Sequence, residues 1–147
     1  MKRLIPPILF LICLVVIGLL KWAWPLKIVF HSPYNLLGLV PMALGLSSVF
    51  LGVRQFGKAK TNLRPFKEAD KLVTSGPFRY TRNPMYLGLA TILVGTWILL
   101  GALSPLLGVL IFVVVADRWY IGFEEQMLQR KFGAAFDAYK ASTRRWL

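Results

Sequence analysis

At 147 residues, 56% of them hydrophobic and 16% charged, with a mean hydropathy of +0.60, the chain is too apolar for a small soluble domain, a disordered chain or a fibre. Its net charge of +12 comes from 18 Lys and Arg against 6 Asp and Glu. Because these charges stand between long apolar runs, they point to membrane topology and away from nucleic acid. The only cysteine, Cys13, leaves no disulfide or thiolate cluster within one chain, and the only histidine, His31, speaks against a zinc or two-histidine haem site.

Leu4 to Leu20 is the first apolar run, with Pro6 and Pro7 where a first helical turn tolerates them. Met1-Lys2-Arg3 resembles the charged start of a signal peptide. The run is long for that, and Lys21-Trp22-Ala23-Trp24-Pro25 reads as an interfacial aromatic belt where a cleavage site would fall, so an uncleaved anchor helix is expected. Tyr34 to Val53 is a second span, long enough at 1.5 Å per residue to cross ~30 Å of hydrocarbon. On it Gly38, Pro41, Gly45, Ser48 and Gly52 form a stripe of small residues. Gly88, Thr91 and Gly95 form a similar stripe on the third run, and such stripes let membrane helices approach closely.

The segment from Asp70 to Gly88 is unusual. Gly76-Pro77 reads as a turn, and Asn83-Pro84 as a helix N-cap followed by proline at the first helical position. With Arg79 and Arg82 just ahead, this helix mouth can hold a carboxylate or phosphate at the membrane surface. The simpler reading is a basic loop that orients the protein and touches anionic lipid. Met85 to Leu100 and Leu103 to Ala116 are the third and fourth runs, each short for a full crossing. Gly101-Ala102 and Ser104-Pro105 predict a tight hairpin between them, one long buried helix being the alternative. From Glu124 onward Leu128, Phe132, Ala135, Phe136, Tyr139 and Trp146 recur at helical spacing among polar residues. They predict an amphipathic helix, kinked or split near Gly133, at the cytoplasmic interface or over the central loop.

The expected fold is an all-α integral membrane protein with four transmembrane helices, a helical hairpin and a C-terminal amphipathic cytoplasmic helix. It forms one membrane domain over residues 1–147, with two spans in 1–53 and the loop, hairpin and amphipathic helix in 54–147. Four crossings put the N-terminus, the 54–82 loop and the C-terminal tail on one side. That side holds every Lys and Arg except Lys21 and Lys27, so it is expected to be cytoplasmic. Four of the six acidic residues lie between Asp117 and Asp137, and Glu124-Glu125 fall at the same boundary as the Arg79–Tyr86 loop. Ionisable groups beside hydrocarbon are costly, which makes them functional candidates; charge balance against neighbouring Lys and Arg is the alternative.

Leu72-Val73-Thr74-Ser75-Gly76, then Arg82-Asn83-Pro84-Met85-Tyr86-Leu87-Gly88, then Glu124-Glu125, Phe132-Gly133, Tyr139 and the closing Arg145-Trp146, together resemble the isoprenylcysteine carboxyl methyltransferase family of membrane methyltransferases over residues 62–147. The Asn83-Pro84-Met85-Tyr86 and Glu124-Glu125 elements are also similar to phosphatidylethanolamine N-methyltransferases. The resemblance implies S-adenosyl-L-methionine in a cytoplasm-facing pocket roofed by the C-terminal helix. It also implies a lipophilic small-molecule or lipid-modified acceptor entering from the bilayer, with membrane lipids, and neither nucleic acid nor metal, as partners. It assigns cofactor binding to Asp70, Lys71, Leu72, Val73, Gly76, Phe78, Asn83, Tyr86 and Glu124. Arg79, Arg82 and Arg118 border the acceptor in this reading, with Glu125 and Arg118 as catalytic candidates.

Two positions depart from the family pattern. Asn83 stands where histidine is frequent, and it can hydrogen-bond but not titrate. A substrate-binding arginine of the prenylcysteine enzymes falls at Tyr120, with Arg118 nearby. A carboxylate such as Glu124 suits a hydroxyl pair or an ammonium, and methyl transfer from a sulfonium requires neither metal nor protein nucleophile. An ammonium acceptor would need a base, for which Glu125 and Asp117 are the candidates. The alternatives are a phospholipid N-methyltransferase, an NADPH-dependent membrane reductase of related fold, and a non-enzymatic protein that binds anionic lipid. A bacterial inner membrane is the expected location.

Overall fold

The computed structural model describes residues 5–60 and 70–147. The Met1-Lys2-Arg3 start, Arg64 and Lys67 of the central loop, and the first residues of the family-like stretch lie outside the described residues.

Helix α1 (Pro6–Ala23) begins on its two prolines, whose missing N–H groups are unneeded in a first turn. A 3-10 turn (Tyr34–Gly38) leads into α2 (Leu39–Ala59). After the central loop come α3 (Pro84–Leu100) and α4 (Leu106–Val115), then a wide π-helical turn (Ala116–Ile121), α5 (Gly122–Phe132) and α6 (Ala134–Ser142). Among the described residues no strand forms beyond a lone bridge between Ile28 and Ala102. Pro6–Ala23, Tyr34–Ala59 and Leu106–Phe132 are long and apolar enough to cross a bilayer, and α3 is a shorter apolar helix.

The small-residue stripes are the contact between α2 and α3. A Cβ on Gly45 would stand 2.5 Å from the Gly88 carbonyl oxygen, and one on Gly95 would stand 2.5 Å from that of Gly38, so only hydrogen fits. Ser48 Oγ also donates across the pair to the Pro84 carbonyl at 2.7 Å. Lipid tails give helices no hydrophobic reason to associate, so this close packing and interhelical hydrogen bonding hold the pair. On the other side of α3, Leu9, Cys13 and Ile17 of α1 pack with Leu93, Val109 and Phe112, and nearer the loop end with Tyr86 and Tyr120. Leu11, Val15, Leu44, Phe50 and Leu110 face outward as the surface offered to hydrocarbon.

The hairpin turns where expected. Gly101 ends α3 at φ 72, in the left-handed region, and its carbonyl accepts the N–H groups of Val29 and Phe30 at 2.7 and 3.1 Å. The loop after α1 thereby clamps the turn. Gly101→Ala is expected to cost about 1–2 kcal/mol from the left-handed backbone alone, and more because the added Cβ would meet the Phe30 carbonyl. A lowered thermal midpoint in detergent checks it.

Two boundaries differ from the sequence reading. Helix α2 runs past Val53 to Ala59, and the fourth helix does not stop at Ala116 but continues through the wide turn to Phe132. Apolar runs report where hydrocarbon ends, whereas the hydrogen-bond ladder ends only where something breaks it. Ala116 to Phe132 contains no proline and only Gly122 as a weak helix former. Glu124 and Glu125 therefore sit on the same rod as α4. The amphipathic stretch does split at Gly133, which lies at φ 48.

Candidate functional site

The central loop is held by a small core of its own. Gly76 at φ 64 starts a 3-10 turn (Gly76–Arg79) that turns Phe78 inward. Phe78 meets Phe56 of α2 edge to face, with centroids 5.3 Å apart, and Val73, Phe78, Phe136 and Tyr139 close into one cluster with Leu72, Leu128 and Phe132. Helix α6 lies over the loop, and Tyr139 donates its hydroxyl to the Phe78 carbonyl at 2.6 Å. Burial pushes that hydroxyl's pKa up to about 12, opposed by the Arg82 charge, so it stays a donor through neutral pH. Tyr139→Phe leaves a buried carbonyl without its donor and is expected to cost about 1–3 kcal/mol, read as a lowered thermal midpoint.

Asn83 and Pro84 occupy the N-cap and first helical positions of α3, as the sequence predicts. The Asn83 side chain makes no cap bond, however; its Nδ2 donates to the Arg145 carbonyl at 2.9 Å. Thr81 Oγ1 donates to the same carbonyl at 3.1 Å, and the Arg82 N–H donates to the Arg144 carbonyl at 2.9 Å. The first backbone bond of α3 runs from Leu87 N–H to the Asn83 carbonyl, so the N–H groups of Met85 and Tyr86 precede the helical ladder.

The acidic residues approach from the fourth rod. Glu124 Oε1 accepts from the Tyr86 hydroxyl at 2.8 Å. Glu125 accepts from Arg82 Nη2 at 2.8 Å and also from Arg145. Asp117 accepts from Arg145 Nη1 at 3.2 Å and from the Trp146 indole at 2.9 Å. The Glu125 hydrogen bond holds the Arg145 guanidinium above its ordinary pKa, against the effect of partial burial.

Between the loop, the α3 mouth, α5 and α6 lies a cleft of about 620 Å³, part of it open to solvent. Lys71, Leu72, Val73, Phe78, Asn83, Tyr86 and Glu124 line it, as do Arg82 and Glu125, so most of the residues singled out in the sequence converge on one place. Asp70, Gly76 and Arg79 are exposed and not part of the lining.

Arg118 is the clearest correction. The wide turn carries Asp117 and Tyr120 inward and leaves Arg118 and Trp119 outside, the arginine side chain 85% exposed and Trp119 74% exposed. It is not among the residues that line the cleft. Glu125 and Asp117, the candidate proton acceptors, both accept hydrogen bonds from guanidinium groups.

Phe56, Leu128, Phe136 and Tyr139 complete the wall without having been named as site residues. Phe56 follows Gly45 and Gly52 at helical spacing, a signal that was there to read. Thr81 carried no signal for its bond to the Arg145 carbonyl 64 residues away, and Arg145 was marked only as part of the closing Arg145-Trp146 motif.

The family model for phospholipid methyltransferases matches residues 34–135, more than half of the chain, from the turn before α2 to the start of α6. A protein of Haemophilus influenzae described only as uncharacterized is 43% identical over 63 residues, which is 43% of this chain and 100% of that protein. No solved structure matches the chain. The match takes in the α3 mouth, the acid pair and the hairpin that joins them, and the chain belongs to the phospholipid methyltransferase family.

Proposed function

We propose that the chain is an S-adenosyl-L-methionine-dependent methyltransferase of a bacterial inner membrane. It would cross the bilayer four times and methylate a lipophilic or lipid-borne acceptor. One observation carries the reading: the α3 mouth and Glu124, far apart in the sequence, face each other across one cleft, joined by the 2.8 Å bond from Tyr86. In this reading both termini and the central loop are cytoplasmic, which puts the cleft on the inner leaflet. The charge distribution supports it, with Lys21 and Lys27 alone near the hairpin-turn end.

The residues present fit the cofactor. Phe56, Phe78 and Phe136 offer an apolar wall for a flat heteroaromatic ring. Glu124 suits an ammonium or a hydroxyl pair, while the first N–H groups of α3 suit a carboxylate. Bound there, the cofactor supplies a sulfonium methyl group that an acceptor's lone pair takes as the carbon–sulfur bond pair returns to sulfur. The protein's part is alignment and dryness: α6 roofs the cleft, the Phe78–Tyr139 bond fixes the loop, and holding reactants in line removes an entropic barrier.

The test uses the purified protein in nanodiscs with methyl-labelled S-adenosyl-L-methionine and a total lipid extract, together with lipophilic amines, thiols and prenylcysteine. Label passing into the organic phase is the expected result. Transfer to none of them, with NADPH oxidised in its place, overturns the reading in favour of a reductase.

A further inference from the structure

Arg145 lies beyond the span matched by the family model and is not among the residues lining the cleft. It nevertheless holds residues that are. We infer that Arg145 is a positioning residue, the pin of a latch formed by Thr143–Trp146, and that closure of this latch sets the cleft's affinity for its cofactor. The inference rests on the cofactor reading above.

The latch depends on the wide turn. Asp117 and Glu125 are eight residues apart, which in a regular α-helix separates side chains by about 80° around the axis. The π-helical turn at Ala116–Ile121 accommodates one extra residue, so the two carboxylates behave as if seven apart, roughly 20° from alignment. One guanidinium then reaches both: Arg145 Nη1 is 3.2 Å from Asp117 and Nη2 is 2.5 Å from Glu125. A planar fork can bridge two carboxylates this way, and a lysine ammonium, a single point charge, does so less well. Trp146 adds its indole bond to Asp117.

With the pin in place, the backbone of the latch engages the α3 mouth. The Arg145 carbonyl takes the Thr81 hydroxyl and the Asn83 amide, and the Thr143 carbonyl takes the Arg82 guanidinium. Arg82, Asn83 and Glu125, three residues of the cleft wall, are thus fixed by a segment that does not itself touch the cavity. With the latch open, the Asn83 amide loses this acceptor and Glu125 keeps Arg82 alone. Linkage makes the effect reciprocal: a ligand that prefers the latched cleft must close the latch by the same factor.

The experiment uses the full chain in nanodiscs, as wild type, Arg145→Lys and Arg145→Gln. S-adenosylhomocysteine affinity is measured by calorimetry, and tryptic cleavage after Lys140 by mass spectrometry. Arg145→Gln is expected to raise Kd about tenfold and speed cleavage by a similar factor, with Arg145→Lys between it and wild type. Saturating S-adenosylhomocysteine should slow cleavage of the wild-type tail and protect the Gln variant less. Faster cleavage with an unchanged Kd, or unchanged cleavage, overturns the latch. A wild-type protein that binds no S-adenosylhomocysteine counts against the cofactor reading, while the cleavage rates still judge the latch by themselves. Should Arg145→Gln not fold, Asp117→Asn keeps the Arg145–Glu125 pair and is expected to move both readouts the same way by less; no movement in either overturns the proposal.

Discussion

Glu124→Gln is expected to weaken S-adenosylhomocysteine binding by about 10- to 100-fold, measured by titration calorimetry on protein in detergent. The substitution keeps the shape and the ability to accept from the Tyr86 hydroxyl, and removes the carboxyl group that the cofactor's ammonium or ribose hydroxyls would meet. A hydrogen bond to a charged partner contributes about 1.5–3 kcal/mol, which is that range of affinity. Asp137→Asn on α6, where the carboxylate pairs with Gln129 and Lys140 at the surface, serves as the control and should bind as wild type does. Equal affinities for Glu124→Gln and wild type would remove Glu124 from the site.

The largest structural effect is expected at Gly45. A single methyl there would stand 2.5 Å from the Gly88 carbonyl and 2.7 Å from an Ile92 side-chain carbon, so α2 and α3 must separate. Overpacking costs about 1–3 kcal/mol in cores that can give way. Here backbone meets backbone and neither helix can repack, so Gly45→Ala falls at or above the top of that range and Gly45→Leu should yield little folded protein. Gly18 on α1 has nothing within 4 Å of a built Cβ, and Gly18→Ala is the matched comparison. Thermal midpoints from fluorescence-detected size exclusion decide the matter: a large drop for Gly45→Ala and almost none for Gly18→Ala is expected, and equal midpoints would contradict the close approach.

What the sequence made legible depended on periodicity and on residues with one strong local preference. The glycine stripes on α2 and α3 repeat at helical spacing, and the small size that marked them is the property their contact uses. Gly101 and Gly133 can take the positive φ that ends a helix, and Pro84 suits a first helical turn, so the hairpin turn, the start of α3 and the split of the last helix fell where expected. The convergence of Arg82, Asn83 and Glu124 on one cleft followed from topology, since a hairpin returns the chain to its starting side.

The misread features turn on long-range or backbone detail. No residue in Ala116–Ile121 announces a wide helical turn, yet that one turn decides that Asp117 and Tyr120 face inward and Arg118 outward. Asn83 has the right chemistry for a cap, and only the folded chain brings the Arg145 carbonyl close enough to compete for its amide. The pairing of Glu125 with both Arg82 and Arg145 is equally non-local.

The most direct measurement is photolabelling with an azido-adenosyl analogue of the cofactor, followed by peptide mapping. A single shared cavity predicts adducts on two separate peptides, one from the 70–86 segment and one from the 122–139 segment, both suppressed by S-adenosylhomocysteine. Adducts confined to one of these segments, or lying at the hairpin turn around Gly101, would contradict it.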